Sequence, residues 1–417
     1  MFHSSRVALP LLVTLAVLGI LVVAGCPKSA PQGTPEGGGP SVVPPAGVGP
    51  GTGAGGAAPS GEPIKIGAIF SVTGPTAPLG EPEKMAAEMI AAQINEKGGI
   101  LGRPVEVIIE DDKSENTEAV MAAKKLIETE KVCAIIGPSG THATMAIKQM
   151  CQDAGVPLVS CAAGRTITDP VFSNVFAVPQ TDLLAVAKIV DWLKANKITK
   201  VASIYVANPF GESGQQQMEK QFKEAGIQLL ASEKFGGEDT DMTPQLTNIK
   251  GKNPEAIICW GTNPGPASVA KGVKKLGITV PLIQSHGVAN AKFIELAGEA
   301  AEGVMLPAGR LIVWQSVPDD HKQKPVLKEF AEAFKAKYDR DADTFAGHAY
   351  DALHIVAKAI EAAGSDEPAK VRDAIEKTTD FVGTAGVFNY SADDHNGLTK
   401  DAFVWVKIEG GQWKLAE

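Results

Sequence analysis

The sequence predicts an α/β protein of two Rossmann-like lobes, each a parallel sheet flanked by helices, with a cleft between the lobes. Three observations predict it. From Ile64 onward short β-branched runs alternate with longer helical patterns, which is how βαβ units read in sequence. The alternation restarts after Pro179, so two similar units follow one another. The 417 residues leave room for about two domains and a tail. A content of 44% hydrophobic and 21% charged residues suits a globular core. The formal net charge of −9, without a Lys/Arg cluster, excludes a nucleic-acid partner, whose phosphates require a basic face.

The chain opens with Arg6 ahead of an apolar run over residues 7–23 that ends in Val23-Ala24-Gly25-Cys26. A positive start, an apolar stretch and small residues before a cysteine make residues 1–25 read as a lipoprotein signal peptide, with Cys26 as the lipidated residue. The mature protein is then exported and held to an envelope membrane by its lipid. A plain transmembrane anchor competes, because the run approaches spanning length. The small residues before Cys26 and the helix-ending Pro27 after it favour cleavage. Residues 26–62 hold little beyond Pro, Gly, Ala and small polar side chains, too little apolar surface to fold, and form a tether.

The folded region begins near Pro63. Its β-branched runs predict strands over 64–70, 105–110 and 132–136, separated by helices over 81–96 and 116–128 and followed by a helix over 141–153. The second unit repeats the pattern, with strands near 201–206, 228–233, 256–260 and 282–284. Helices near 183–195, 214–224, 245–250 and 266–275 separate them. Helices over 324–338, 347–363 and 369–377 and strands over 402–408 and 412–415 must pack on one or both units. Open α/β sheets bind ligands beyond the carboxyl ends of their strands, so the cleft is the expected site.

Catalytic and metal motifs are missing. With Cys26 assigned to lipid, Cys133, Cys151, Cys161 and Cys259 remain, without CxxC or metal-ligand spacing. A disulfide among Cys133, Cys151 and Cys161 and a set of buried free thiols both fit. The nearest approach to a hydrolase elbow is Gly137-Pro138-Ser139-Gly140, but Thr141 stands where that elbow needs glycine. A hydrolase built on His142 or His286 would need a nucleophile beside one of them. The reading is therefore a binding protein, not an enzyme, with no cofactor and no metal. In the turn Ser139-Gly140-Thr141 a strand ends and a helix begins, so unpaired amide N–H groups face outward at the positive end of a helix dipole. A carboxylate suits that turn, which Thr141 also suits as a cap. A second small-residue turn, containing Ala162 and Gly164, follows another buried strand.

Several segments together carry a resemblance: Ile66-Gly67 to Gly74-Pro75, Asn95-Glu96-Lys97-Gly98-Gly99-Ile100, Glu110-Asp111-Asp112, Ile136-Gly137-Pro138, Phe210-Gly211, Gly287-Val288-Ala289-Asn290 and Ala301-Glu302-Gly303. From about residue 63 to the C-terminus the chain resembles the branched-chain amino acid binding proteins of ABC uptake systems, which have the type I periplasmic binding protein fold. The resemblance implies one lobe from 63–180 plus about 309–399, another from 181–308 plus about 400–417, and hinges near Pro179 and Pro307. It implies a monomer that closes on an amino acid or small organic acid and delivers it to permease subunits. A ligand-sensing receptor of the same fold is the alternative. By the same resemblance Thr141, Ala162 and Gly164 hold the ligand carboxylate, Phe210 closes from the second lobe, and Leu79 and Phe345 line the side-chain pocket. One position departs from the family. Where it places an acidic side chain for the ligand ammonium, this chain has His286. A neutral imidazole cannot supply the charge that offsets a buried ammonium. Asn263, His348 and Tyr350 add polar groups without negative charge, so an aromatic or aliphatic acid or an amide is favoured. Asp351 or Glu212 reaching the cleft would restore the charge.

Overall fold

The computed structural model describes residues 58–416; Cys26, the signal segment and nearly all of the tether lie outside the described residues. The first sheet is built from β1 (Ile64–Phe70), β2 (Val105–Asp111), β3 (Ile135–Ile136), β4 (Leu158–Ser160) and β5 (Val175–Ala177), ordered β2-β1-β3-β4-β5. Every pair in it is parallel. Parallel neighbours need crossovers, and α1 (Ala77–Glu96), α2 (Asn116–Lys124) and α3 (Thr141–Ala154) supply three of them. Helices on both faces explain why β1, IKIGAIF, is apolar at nearly every position, with only Lys65 partly exposed.

The chain then runs through α4 (Asp182–Ala195), β6 (Lys200–Val206), α5 (Pro209–Ala225), β7 (Gln228–Phe235), α6 (Thr243–Gly251), β8 (Ala256–Trp260), α7 (Gly265–Lys275), β9 (Leu282–Gln284), α8 (Ala291–Ala297) and β10 (Met305–Ala308). It returns to the first unit through α9 (Lys324–Tyr338), α10 (Thr344–Ala363) and α11 (Pro368–Glu376), past a small ribbon of β11 (Phe381–Val382) and β12 (Val387–Phe388). It crosses once more to β13 (Val404–Glu409) and β14 (Gln412–Ala416). The second sheet is ordered β14-β13-β10-β9-β8-β6-β7, parallel from β7 to β10, with β13 and β14 antiparallel. α10 packs against both α1 and α11. It buries residues around most of its circumference, from Phe345 and Ala346 to Val356 and Ile360. Each large side chain among them, such as Phe345, Val356 or Ile360, contributes about 1.5–3 kcal/mol.

Several elements differ from expectation. The strand placed over 132–136 shortens to β3, although Cys133 N–H still donates to the Lys65 carbonyl and the Ala134 carbonyl accepts from Gly67, so the segment lies along β1 without regular pairing. The helix over 116–128 stops at Lys124 and continues as a π-turn to Glu130. Pro307 is not in a hinge loop. It sits in β10 opposite Trp405, and the chain leaves the strand after Ala308. Cys133, Cys151, Cys161 and Cys259 are all buried free thiols. Burial pushes the Cys133 and Cys151 thiols up to about 12, which keeps them from reacting as thiolates.

Candidate functional site

The carboxyl ends of the parallel strands of both sheets face one cavity. On the first sheet's side the chain after β1 brings Thr76 and Leu79, the turn after β3 brings Ser139, Gly140, Thr141 and His142, and the turn after β4 brings Cys161, Ala162 and Ala163. The first turns of α10 add Phe345 and His348. From the second sheet come Asn208 and Phe210 at the start of α5, Thr262 after β8, and His286 and Gly287 after β9. The cavity measures about 40 Å³, space for only a few waters, so the two walls are closed on each other. A direct bond spans them: Asn290 Nδ2 donates to the Pro78 carbonyl at 3.2 Å, and Asn263 Nδ2 donates to Asn290 Oδ1 from behind at 3.3 Å. A larger groove, about 720 Å³, lies between α10, α11 and the short β11, and none of its lining residues belongs to either large sheet.

One end of the cavity is arranged for an anion. Gly137 makes the turn after β3 possible: its φ is +85°, and a Cβ there would lie 2.1 Å from the Ile69 carbonyl oxygen. α3 then starts without a side-chain cap. Gly140 is its N-cap and Thr141 its first helical residue, so Thr141 does not cap the helix. The first intrahelical bond belongs to Thr144, whose N–H reaches the Gly140 carbonyl at 3.0 Å, which leaves the amides of the first turn without helical partners. The neighbouring turn corrects the expected contacts. Gly164 does not line the cavity; its N–H donates to Thr141 Oγ1 at 3.2 Å. Ala162 does line it, but its N–H is bonded to Ser160 Oγ at 3.1 Å. Gly164 therefore orients the Thr141 hydroxyl, whose hydrogen remains for a ligand.

Two further lining side chains are polar without being charged. His286 is 4% exposed, and the rings of Phe210, Trp260 and Phe403 stand edge-on to it at centroid distances of 5.7, 5.8 and 5.4 Å. That apolar cage holds its pKa down to about 3, opposed only by the nearby Gln180 backbone. His348 is as deeply buried, and burial, then the neighbouring His286, brings it down to about 3 as well. Neither imidazole makes a hydrogen bond of good geometry at either ring nitrogen, and the Gln180 backbone approaches His286 only loosely. Unpaired buried polar groups are costly, and both histidines line the cavity.

The remaining expected residues are placed elsewhere. Asn263 is buried beside the cavity and supports Asn290 rather than lining the space. Tyr350 packs on Phe330 and His354. Asp351 is fully buried in α10, where it accepts from Thr384 N–H, Thr384 Oγ1 and Ala385 N–H. Glu212 pairs with Lys234 at 2.7 Å on the surface. No acidic side chain lines the cavity among the described residues. His142 meets the Ser114 carbonyl at 3.2 Å. Of the polar residues expected near the cleft His348 lines the space, and Thr76, His142, Cys161, Ala163, Asn208, Thr262 and Gly287 line it beyond the expected set. Two cap signals bore on the helix starts. Asn208-Pro209 begins α5 five residues earlier than expected, with Asn208 accepting from Gly211 N–H. Asp343 begins α10 three residues early and accepts from Phe345 and Ala346 N–H.

Solved structures similar to this fold include an extracellular ligand-binding receptor from Rhodopseudomonas palustris, with a TM-score of 0.80 and 28% identity over 85% of this chain and 100% of the other. The branched-chain amino acid transporter substrate binding protein LivJ from Streptococcus pneumoniae, solved with isoleucine, matches with a TM-score of 0.75 and 29% identity over 85% and 99% of the two chains. Among curated proteins, the leucine-, isoleucine-, valine-, threonine- and alanine-binding protein of Pseudomonas aeruginosa is 26% identical over 76% of this chain and 83% of its own length. These relatives are solute-binding proteins, not enzymes. A family model described as periplasmic binding protein matches residues 63–412, and on that match the chain belongs to the periplasmic binding protein family.

Proposed function

We propose that this chain is the exported, lipid-anchored solute-binding component of an ABC uptake system, and that it carries a small carboxylate-bearing molecule without an ammonium group. Aromatic and aliphatic acids are that class. The relatives named for leucine, isoleucine and valine handle a carboxylate too. The observation that carries the ligand class is the lack of any acidic lining side chain among the described residues. The first turn of α3 and the Thr141 hydroxyl offer donors to the ligand carboxylate, with Ser139 and Gly140 beside them. His286 and His348, both uncharged, face its far end, and Leu79, Phe210 and Phe345 cover its apolar body. Ligand favours the closed arrangement by its greater affinity for it, and a monomer in that arrangement is what permease subunits would receive. Cys26 supplies the membrane tie.

A thermal-shift screen tests this. A ligand at roughly 100 times its dissociation constant adds about 2.7 kcal/mol of stability. Stabilisation by aromatic or aliphatic acids, without stabilisation by leucine, isoleucine or valine, is the expected result. Stabilisation by those amino acids alone overturns the ligand class.

A further inference from the structure

Glu83 lies on α1, fully buried, one layer behind the anion end of the cavity. Its Oε2 is hydrogen-bonded to Ser139 Oγ, while Oε1 has no partner. Ser139 Oγ also accepts the Ser71 N–H at 3.0 Å. A serine hydroxyl has one hydrogen and two lone pairs, and Ser71 occupies one lone pair. If Glu83 were a carboxylate, the single Ser139 hydrogen would be spent on it, and Ser139 would face a ligand anion with lone pairs only. If Glu83 is a carboxylic acid, its own hydrogen fills the second lone pair, and the Ser139 hydrogen turns to the cavity.

We propose that Glu83 is a positioning residue that acts through Ser139: as a neutral carboxylic acid it donates to Ser139 Oγ and so makes the Ser139 hydroxyl a donor to the ligand carboxylate. This rests on the reading that a carboxylate binds at this end of the cavity. The surroundings of Glu83 suit the neutral form. Burial raises its pKa well above the ordinary carboxyl range, the Ser139 bond opposes this, and Asp112 at the end of β2 and Asp343 ahead of α10 raise it further. Cys161, after β4, also faces it as a buried thiol. The nearest cation on those partners is Arg340, 3.8 Å from Asp343, and His142 acts on Asp112; neither is bonded to Glu83. The unpaired Oε1 is also easier to leave buried on a neutral acid than on a carboxylate.

Infrared difference spectra of the purified protein read the proton without any ligand. At neutral pH the wild type should show the carbonyl band of a protonated, buried carboxylic acid that E83Q lacks, and S139A should displace that band by removing its acceptor. The affinity for 4-methylpentanoate, measured by calorimetry, should fall about tenfold or more as rising pH abolishes the band. E83Q, whose amide can donate to Ser139, should hold its affinity flat over the same range. Absence of the band at neutral pH overturns the proposal and leaves the proposed function standing, as does an affinity that does not change where the band is lost. A band displaced by S139A in a protein that binds no carboxylic acid at any pH overturns the proposed function instead, and with it the role given to the Ser139 hydrogen.

Discussion

Replacing His286 with glutamate should convert the preference of the site from acids to amino acids. The imidazole is 4% exposed inside three aromatic rings, and its pKa of about 3 against an ordinary 6.5 means that charging it there costs roughly 5 kcal/mol more than in water. A ligand ammonium placed against that ring meets the same medium without a counter-charge. Removing one partner of a buried ion pair costs about 3–5 kcal/mol, so leucine should bind the wild type roughly 100-fold or more weaker than 4-methylpentanoate, its counterpart lacking the ammonium. In H286E the buried carboxylate is itself unpaired until an ammonium arrives. The variant should therefore be less stable than wild type when empty and should regain stability with leucine. Calorimetric titration of both proteins with both compounds gives a four-cornered cycle whose coupling term isolates the ammonium–residue 286 interaction. Equal wild-type affinity for the two compounds, or an unchanged ratio in H286E, would refute the reasoning.

Two other expectations follow from the same cavity. N290D keeps the acceptor that caps α8 at Phe293 N–H but removes the donor that reaches the Pro78 carbonyl, so the empty protein should open and its radius of gyration by X-ray scattering should rise; an unchanged radius would show that this bond does not hold the walls together. His286 and His348 have folded pKa values of about 3, below the unfolded value, so the unfolded chain binds more protons and stability is lost as pH falls from about 6.5 towards 3. By pH 4 each ring should have cost roughly 3 kcal/mol. Asp182 and Asp351, raised by burial to about 7, act in the opposite sense as pH rises, which makes the difference between wild type and H286Q/H348Q the quantity to measure. That difference, followed by denaturant unfolding, should narrow in the variant's favour below pH 6.

The parallel-sheet architecture was legible because buried strands such as β1 and β8 are almost wholly apolar and the helices between them keep their own period. Helix starts were less so. Asn208 and Asp343 announce α5 and α10 through their side chains, a signal two or three residues long that an apolar pattern does not contain. Site composition was visible where it depends on turns between strand and helix, as at Ser139 to Thr141. It was not visible where it depends on which donor takes which acceptor. That Gly164 N–H is spent on Thr141, and Ala162 N–H on Ser160, is decided by distances between segments about 20 residues apart or by a two-residue turn, and spacing alone does not record it. Glu83 was similarly hidden. Its burial follows from α1 beginning at Ala77 and from α10 closing over it, a packing set by residues some 260 positions later.

β13 completes the second sheet by pairing with β10, strands about 100 residues apart, while α10 covers α1 across a still longer stretch. A chain that emerges N-terminus first thus presents both sheets before either has its last neighbour. Until residue 404 appears, β10 offers an unpaired backbone edge, the kind of surface on which other strands add. Loss of the last fourteen residues would therefore do more than shorten the protein: it would leave a permanent sticky edge beside Leu306. The slow, long-range closures that finish the fold come at the very end of the chain, and a premature stop there should be read out as aggregation rather than as weakened ligand binding.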